Sequence, residues 1–451
     1  MGYRDGDRRH GAERPSQAAF HRDRPNERQP VRGDPPPGAV ALLTASERPG
    51  RDPFPATRVR DVVLFLTSRC NFACSYCYEA GRAARVDMPW DVARAAVDLL
   101  FPDPPAGALL AFTGGEPLVA EPLFRRCVEE ARARAPTAAA LRIVASTNGA
   151  LLTDDLVRFL ASNEVSLQVS FDGAGQDLRS PGSGPGILAA LERAAEREPA
   201  WFRRRLRVAL TLTPATLPLL GASVEKILRL RPREVSVAAV TAADWPAGAA
   251  LEARLDRQLD RVVAACLALD PEANDPPVTL LRPPVPRTLP AEEEAWCRAA
   301  APESIAVDPD GAVWGCPSAS ASTQLLSAAG RTISEAVRLG DVRDPGLPAR
   351  LAALPARARA ARALTHRRSK RSELAACDTC EHLLECVPCA LAAARVPGAT
   401  DPDLVPTITC ALTRAAARAR ARLPRRPPFS GLLRELERLS EALGPSAPPG
   451  S

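Results

Sequence analysis

Between Arg58 and about Leu269 the chain alternates strand-like apolar stretches with stretches of helical apolar spacing, a pattern that predicts βα units around a parallel sheet. Strands are predicted at Val59–Thr67, Leu109–Phe112, Leu141–Ser146, Val165–Phe171, Leu206–Leu212 and Val235–Val240. The intervening helices are predicted at Pro89–Phe101 with proline in the first turn, Glu121–Arg134, Asp154–Ala161 behind a Thr153 cap, and Pro185–Arg197. Repeated βα units of this kind predict an α/β fold built on a partial barrel.

Two of these strands alternate where a parallel barrel strand is usually apolar on both sides. Val165, Leu167, Val169 and Phe171 would face the helices, while Ser166, Gln168, Ser170 and Asp172 face inward. Leu206, Val208, Leu210 and Leu212 alternate in the same way with Arg207, Ala209, Thr211 and Thr213. A polar inner face fits a cofactor cavity; a half-exposed edge strand produces the same pattern.

Around this barrel segment, 56–270, the chain divides by composition. Residues 1–55 are rich in Arg, Asp and Pro and show no sustained apolar period, which predicts a disordered or loosely attached arm. A Pro-rich linker, 271–295, leads to a cysteine-bearing domain, 296–412, interrupted by an Ala/Arg helix-like insertion from Arg350 to Arg368. The tail, 413–451, ends in a short amphipathic helix with leucines at 432, 433, 436, 439 and 443.

Composition narrows the function classes. Of 59 basic residues only Lys226 and Lys370 are lysine, and arginine runs through every segment, so the net charge of +6 forms no patch that points to nucleic acid. No run of about 18 apolar residues occurs, and Met1 to His10 are charged where a secretory peptide needs an apolar stretch, so the expectation is a cytoplasmic protein away from membranes. In that compartment the 12 cysteines stay reduced, and their clustering points to metal or cluster ligation rather than disulfides.

Directly after the first strand comes Cys70-Asn71-Phe72-Ala73-Cys74-Ser75-Tyr76-Cys77. Three thiolates can hold three irons of a 4Fe-4S cube and leave the fourth open to a chelating substrate, whereas a carrier cluster uses four cysteines. A zinc loop with its fourth ligand elsewhere has similar spacings.

The motif resembles the CxxxCxxC signature of the radical SAM superfamily, including the aromatic Tyr76 before the last cysteine. Thr113-Gly114-Gly115-Glu116-Pro117 resembles the GGE motif, which implies that its backbone and carboxylate bind the methionine amino group of S-adenosylmethionine (SAM). Ser146-Thr147-Asn148-Gly149 and Ser170-Phe171-Asp172-Gly173 are similar to segments that line SAM in the family; the resemblance implies a ribose-side role for Ser170 and Asp172 and an orienting role for Asn148. All lie at C-terminal strand ends, the face on which barrels build active sites. Arg179 is a candidate for the SAM carboxylate, but among so many arginines a solvated surface role is the expectation.

Further on, Cys297, Gly311 with Cys316, Cys377-x2-Cys380-x5-Cys386-x2-Cys389 and Cys410 resemble the seven-cysteine SPASM domain, which holds two auxiliary 4Fe-4S clusters. By that resemblance Cys377, Cys380, Cys386 and Cys410 ligate one cluster, and Cys297, Cys316 and Cys389 the other. The family has three residues before the last cysteine of the compact run; here only Val387 and Pro388 intervene, so the chain departs from the family's pattern at Cys389, and structural zinc sites are the competing reading. His382 reads as a surface residue, and Cys127 and Cys266 as small buried hydrophobes on helices.

The resemblance implies reductive cleavage of SAM to a 5'-deoxyadenosyl radical, an external electron donor, and oxidative modification or crosslinking of a ribosomally made peptide or protein. Small-molecule chemistry and a non-catalytic iron-sulfur electron-transfer or scaffold role are the alternatives. The sulfatase-maturing branch of the family carries an acidic residue after the G-x4-C cysteine; Pro317 occupies that place here, with Asp308 and Asp310 the acidic residues nearby.

Overall fold

The alternating segments form the strands β1 (Asp61–Thr67), β2 (Ala108–Gly114), β3 (Leu141–Thr147), β4 (Ser166–Ser170), β5 (Leu206–Leu212) and β6 (Glu234–Ala239). They are paired in parallel in chain order in a computed structural model. The structure describes residues 59–77, 85–101, 107–137, 140–271, 275–282, 304–322, 328–352, 370–382, 386, 389–393, 395–396, 399–401 and 403–424. The predicted arm 1–55, Cys297, most of the Pro-rich linker, most of the Arg350–Arg368 insertion and the leucine-bearing tail helix lie outside the described residues.

Helices Trp90–Asp98, Glu121–Arg134, Asp154–Ser162 and Gly184–Arg197 fall where the periodicity predicts them, and Thr153 caps the third by accepting Leu156 N–H at 3.2 Å. Two more, Leu220–Leu228 and Gly248–Leu269, follow β5 and β6. One apolar core joins Leu64, Leu110, Ile143, Leu167, Val208 and Val235 of the six strands to Val97, Phe124, Leu156, Leu191, Ile227 and Leu259 of the helices. With a single helix layer against one side of successive right-handed βα units, the sheet forms a partial barrel. β4 and β5 each have a strand on both sides, so their polar positions line the inner face and the edge-strand reading fails.

The cysteine-rich segment continues this sheet. β7 (Ser304–Val307) pairs in parallel with β1 on the side away from β2, and β8 (Ala312–Trp314) and β9 (Arg338–Asp341) extend it antiparallel. A second, smaller core gathers Phe65 of β1, Ala306, Trp314, Ile333 and Leu391, with Cys316 at its margin. Helix Thr407–Arg420 then lies on Gly248–Leu269, where Arg414, Arg418 and Arg422 meet Glu252, Asp256 and Asp260 at one constant sequence offset, as two parallel helices in register require.

Candidate active site

The strand ends that carry the predicted motifs converge on the cysteine loop after β1. Both ends of that loop are tied together: Ser68 N–H donates to Val86 O at 2.9 Å, Val86 N–H to Ser68 Oγ at 2.7 Å and Met88 N–H to Leu66 O at 2.8 Å. Arg69, one residue before Cys70, binds both oxygens of Asp87 at 2.8 and 2.6 Å, and Thr67 Oγ1 donates to Asp87 at 2.5 Å. Burial alone would raise the Asp87 pKa; the hydrogen bonds and charge of Arg69 and the hydroxyl of Thr67 outweigh it and hold the carboxyl below its ordinary value. Cys70, Cys74 and Cys77 are half-buried, and Cys77 N–H closes a turn onto Cys74 O at 3.1 Å.

The two glycines of the GGE-like motif are required by the protein's own backbone. Gly115 N–H donates to Thr67 O and Glu116 N–H to Arg69 O, both at 2.8 Å, which brings the end of β2 against the residues leading into Cys70. A Cβ at Gly114, whose φ is +132°, would lie 2.4 Å from Thr67 O, and one at Gly115 would lie 2.3 Å from Arg69 O. Glu116 is buried and accepts Leu118 N–H at 3.1 Å, Thr147 Oγ1–H at 2.8 Å and Asn148 N–H at 2.7 Å. Burial pushes its pKa up against the pull of those donors. With three donors on a carboxylate that offers about four acceptor sites, Glu116 pins the β2 and β3 ends together and keeps little capacity for a further partner.

Asn148 donates to Asn71 Oδ1 at 2.7 Å, stands 3.9 Å from Cys70 Sγ, and accepts Ala150 N–H at 3.0 Å, so it ties the end of β3 to the cysteine loop. Asp172 is buried, accepts Tyr76 Oη–H at 3.0 Å and Thr211 N–H at 2.7 Å, and has Arg179 at 3.7 Å; burial raises its pKa while Arg179 and the two donors oppose the rise. Burial likewise pushes Tyr76 and Cys70 up. Ser170, half-buried, ends β4 beside Ala209.

Arg179 corrects the sequence expectation of a solvated side chain. The short helix Gln176–Arg179 turns it back into the site, where its side chain is 10% exposed. Its Nε donates to Cys74 Sγ at 3.4 Å, its guanidinium stands 5.6 Å from the Tyr76 ring centre, and its buried NH1 makes no hydrogen bond. One arginine among so many gives no sequence signal; only the turn after Gly173 places it.

In the C-terminal segment Cys377, Cys380, Cys386 and Cys410 line one cavity together with Ser372, His382, Thr413 and Arg414. Burial, reinforced by the neighbouring sulfurs, pushes Cys386 up to about 12, so four thiolates there call for a cationic centre. Four cysteines lining one cavity are a donor set that fits a 4Fe-4S cluster. His382 lines this cavity 3.4 Å from Glu381, with 17% of its side chain exposed, against the surface placement expected from sequence. Cys389 is exposed and does not line the cavity, and Cys316 lies apart on the smaller core.

Cys127 and Cys266 are buried in helices Glu121–Arg134 and Gly248–Leu269, where burial raises them to about 12 and about 11. Asp308 is fully buried and accepts Trp314 Nε1–H at 2.9 Å, Ser320 Oγ–H at 2.5 Å, Ser322 Oγ–H at 2.8 Å and Ala321 N–H at 3.1 Å. It knots the β7–β8 turn to the segment after Cys316 and is not available as a base.

Residues 64–201 match the radical SAM superfamily. The chain is 33% identical over 135 residues to the AdoMet-dependent heme synthase of Methanosarcina barkeri (strain Fusaro / DSM 804), a match that covers 28% of this chain and 36% of that protein. An uncharacterized protein of Methanocaldococcus jannaschii is 27% identical over 115 residues, 26% of this chain and 39% of its own length. The chain thus spans under two fifths of these curated relatives. In fold it is similar to native anSMEcpe with bound AdoMet, at a TM-score of 0.58 and 16% identity over 84% of this chain and 100% of that one. Native anSMEcpe with bound AdoMet and Kp18Cys peptide gives a TM-score of 0.59 and 17% identity over 84% of this chain and 99% of that one.

Proposed function

We propose, from the match of residues 64–201 to the radical SAM superfamily, that the chain reductively cleaves SAM at a 4Fe-4S cluster on Cys70, Cys74 and Cys77 and uses the resulting radical to modify a peptide or protein. When bound, such a cluster offers SAM an open iron and delivers the electron that breaks its sulfur–carbon bond to give a 5'-deoxyadenosyl radical. The observation that carries the reading is Arg179: a buried cation beside Cys74 whose NH1, 3.7 Å from Asp172 Oδ1, makes no hydrogen bond can still receive an anion, and SAM brings a carboxylate. Asp172, Tyr76 and Thr211 form the wall beside it, Ser170 and Asp172 serve the ribose side, and Gly114, Gly115, Glu116 and Asn148 fix the strand ends against the cysteine loop and present their backbone to the amino group.

The cysteines of the C-terminal segment are read as the ligands of two auxiliary 4Fe-4S clusters, one on Cys377, Cys380, Cys386 and Cys410, the other on Cys297, Cys316 and Cys389. What supports the first set is the cavity its four sulfurs share. A peptide substrate is supported by the fold likeness to an enzyme solved with bound peptide; the sequence match to a heme synthase supports the second reading, chemistry on a small molecule.

The test is anaerobic. Reconstituted, chemically reduced protein should release 5'-deoxyadenosine from SAM, and the Cys70→Ala/Cys74→Ala/Cys77→Ala variant should not. A SAM-dependent mass change on a candidate peptide decides the substrate class, and wild type that is fully loaded with iron yet releases no 5'-deoxyadenosine with any candidate refutes the activity.

A further inference from the structure

The four-cysteine cavity is bordered by groups that no ligand role explains. Ser372 Oγ accepts Leu374 N–H at 3.2 Å, which leaves its one proton to donate, and Ser372 lines the cavity with Cys410. Arg414 spends its Nε on Glu252 Oε1 at 2.8 Å and lines the cavity with the four cysteines. Glu252 belongs to helix Gly248–Leu269 of the barrel and brings a charge of the opposite sign beside Arg414. Of the other groups nearby, Thr413 donates to Thr409 O at 2.9 Å, Lys370 meets Asp403 at 2.7 Å, Arg418 binds Asp256 at 3.0 Å and His382 lies 3.4 Å from Glu381.

A donor or cation beside a cluster sulfur stabilises the electron that reduction adds, and a carboxylate destabilises it. We propose that Ser372 and Arg414 are positioning residues that raise the reduction potential of the cluster on Cys377, Cys380, Cys386 and Cys410, and that Glu252 of the barrel holds Arg414 in place and lowers that potential. The couple is simple: the cluster takes up one electron, and no bond or proton changes at its ligands. The inference rests on the reading that these four cysteines hold an iron-sulfur cluster.

The experiment is a mediated redox titration followed by electron paramagnetic resonance, on the full chain in the Cys70→Ala/Cys74→Ala/Cys77→Ala background. A Cys377→Ser/Cys386→Ser control isolates the signal of this cluster by difference and tests that reading separately: if iron and signal are unchanged in the control, no cluster is there and the ligand assignment fails. With the signal in hand, Ser372→Ala and Arg414→Gln are expected to lower the midpoint and Glu252→Gln to raise it. Each change is on the order of tenfold in the reduction equilibrium, about 59 mV for a one-electron couple. Arg414→Lys, which keeps the charge, should restore most of the shift. A general loosening of the helix pair would move all three variants the same way, so opposite signs support the proposal. Unchanged midpoints at full iron content, or a downward shift in Glu252→Gln, overturn it; if Arg414→Gln does not fold, Ser372→Ala and Glu252→Gln decide alone.

Discussion

Replacing Gly115 with alanine tests how the end of β2 positions the cysteine loop. The added methyl would lie 2.3 Å from Arg69 O, 2.7 Å from Arg69 C and 3.0 Å from Ser68 C, all backbone atoms that cannot rotate aside. Restoring ordinary contact requires the strands to part by about 0.7–1.1 Å. That movement strains about 1–3 kcal/mol of packing and weakens two backbone hydrogen bonds worth about 1 kcal/mol each, a total of about 3–5 kcal/mol. Since Arg69 precedes Cys70, the displacement falls on the loop that carries the three thiolates, and a misplacement of about 1 Å at a reacting centre costs on the order of 100-fold in rate. We expect Gly115→Ala to lower 5'-deoxyadenosine formation by about that factor and to lose iron from the Cys70 site, while the iron on the C-terminal cysteines stays. Gly186→Ala, at a helical glycine with nothing within 4 Å, is the control and should be neutral or slightly stabilising. A Gly115→Ala protein with wild-type iron and wild-type rate would refute the reasoning.

Other outcomes follow from the same geometry. Arg179→Met should raise the KM for SAM by about tenfold or more, the cost of a lost charge-assisted hydrogen bond of about 1.5–3 kcal/mol, with Arg179→Lys recovering part of it in steady-state kinetics. Asp87 has a pKa lowered in the fold, so its contribution is present above the ordinary value of 3.8 and is lost as pH falls through the lowered one; Asp87→Asn should flatten that acid limb when melting of the metal-free protein is followed against pH, and an unchanged limb would assign the dependence elsewhere. Cys410→Ser should remove about four irons per chain and spare 5'-deoxyadenosine formation from SAM, as elemental analysis beside a turnover assay would read. Asp308→Ala should destabilise the fold by about 1–3 kcal/mol or more by stranding buried donors, with turnover per iron-loaded chain unchanged; selective loss of turnover in a stable protein would restore Asp308 as a base.

The strands and helices were legible because each buries one side, and a one-sided burial writes a period of two or of three to four into the sequence. Leu167 and Val169 against Ser166 and Gln168 show it directly. The helix Gly248–Leu269, on which Cys266 was read, carries the same signal at Leu251, Leu255, Leu259 and Val263. The extension of the sheet by β7 to β9 was not legible, because strands of three or four residues are too short to show a period.

Covalent neighbours on one loop need no fold to bring them together, so the sequence by itself determined the Cys70, Cys74, Cys77 spacing, the glycines at the end of β2 and the compact run Cys377 to Cys389. Tertiary structure alone decided which distant groups meet them. Arg179 stands 105 residues from Cys74 and reaches its sulfur only through the curl of the sheet, and Cys410 joins Cys377, Cys380 and Cys386 only because its helix is bolted to the barrel through Glu252 and Asp256. Glu116, which sequence assigns to a ligand, is largely occupied by Leu118, Thr147 and Asn148. A side chain's type limits what it can bond, and its sequence neighbours fix its local conformation; its partner is set by burial and by the packing of segments far apart in the chain, which one sequence read in order does not record.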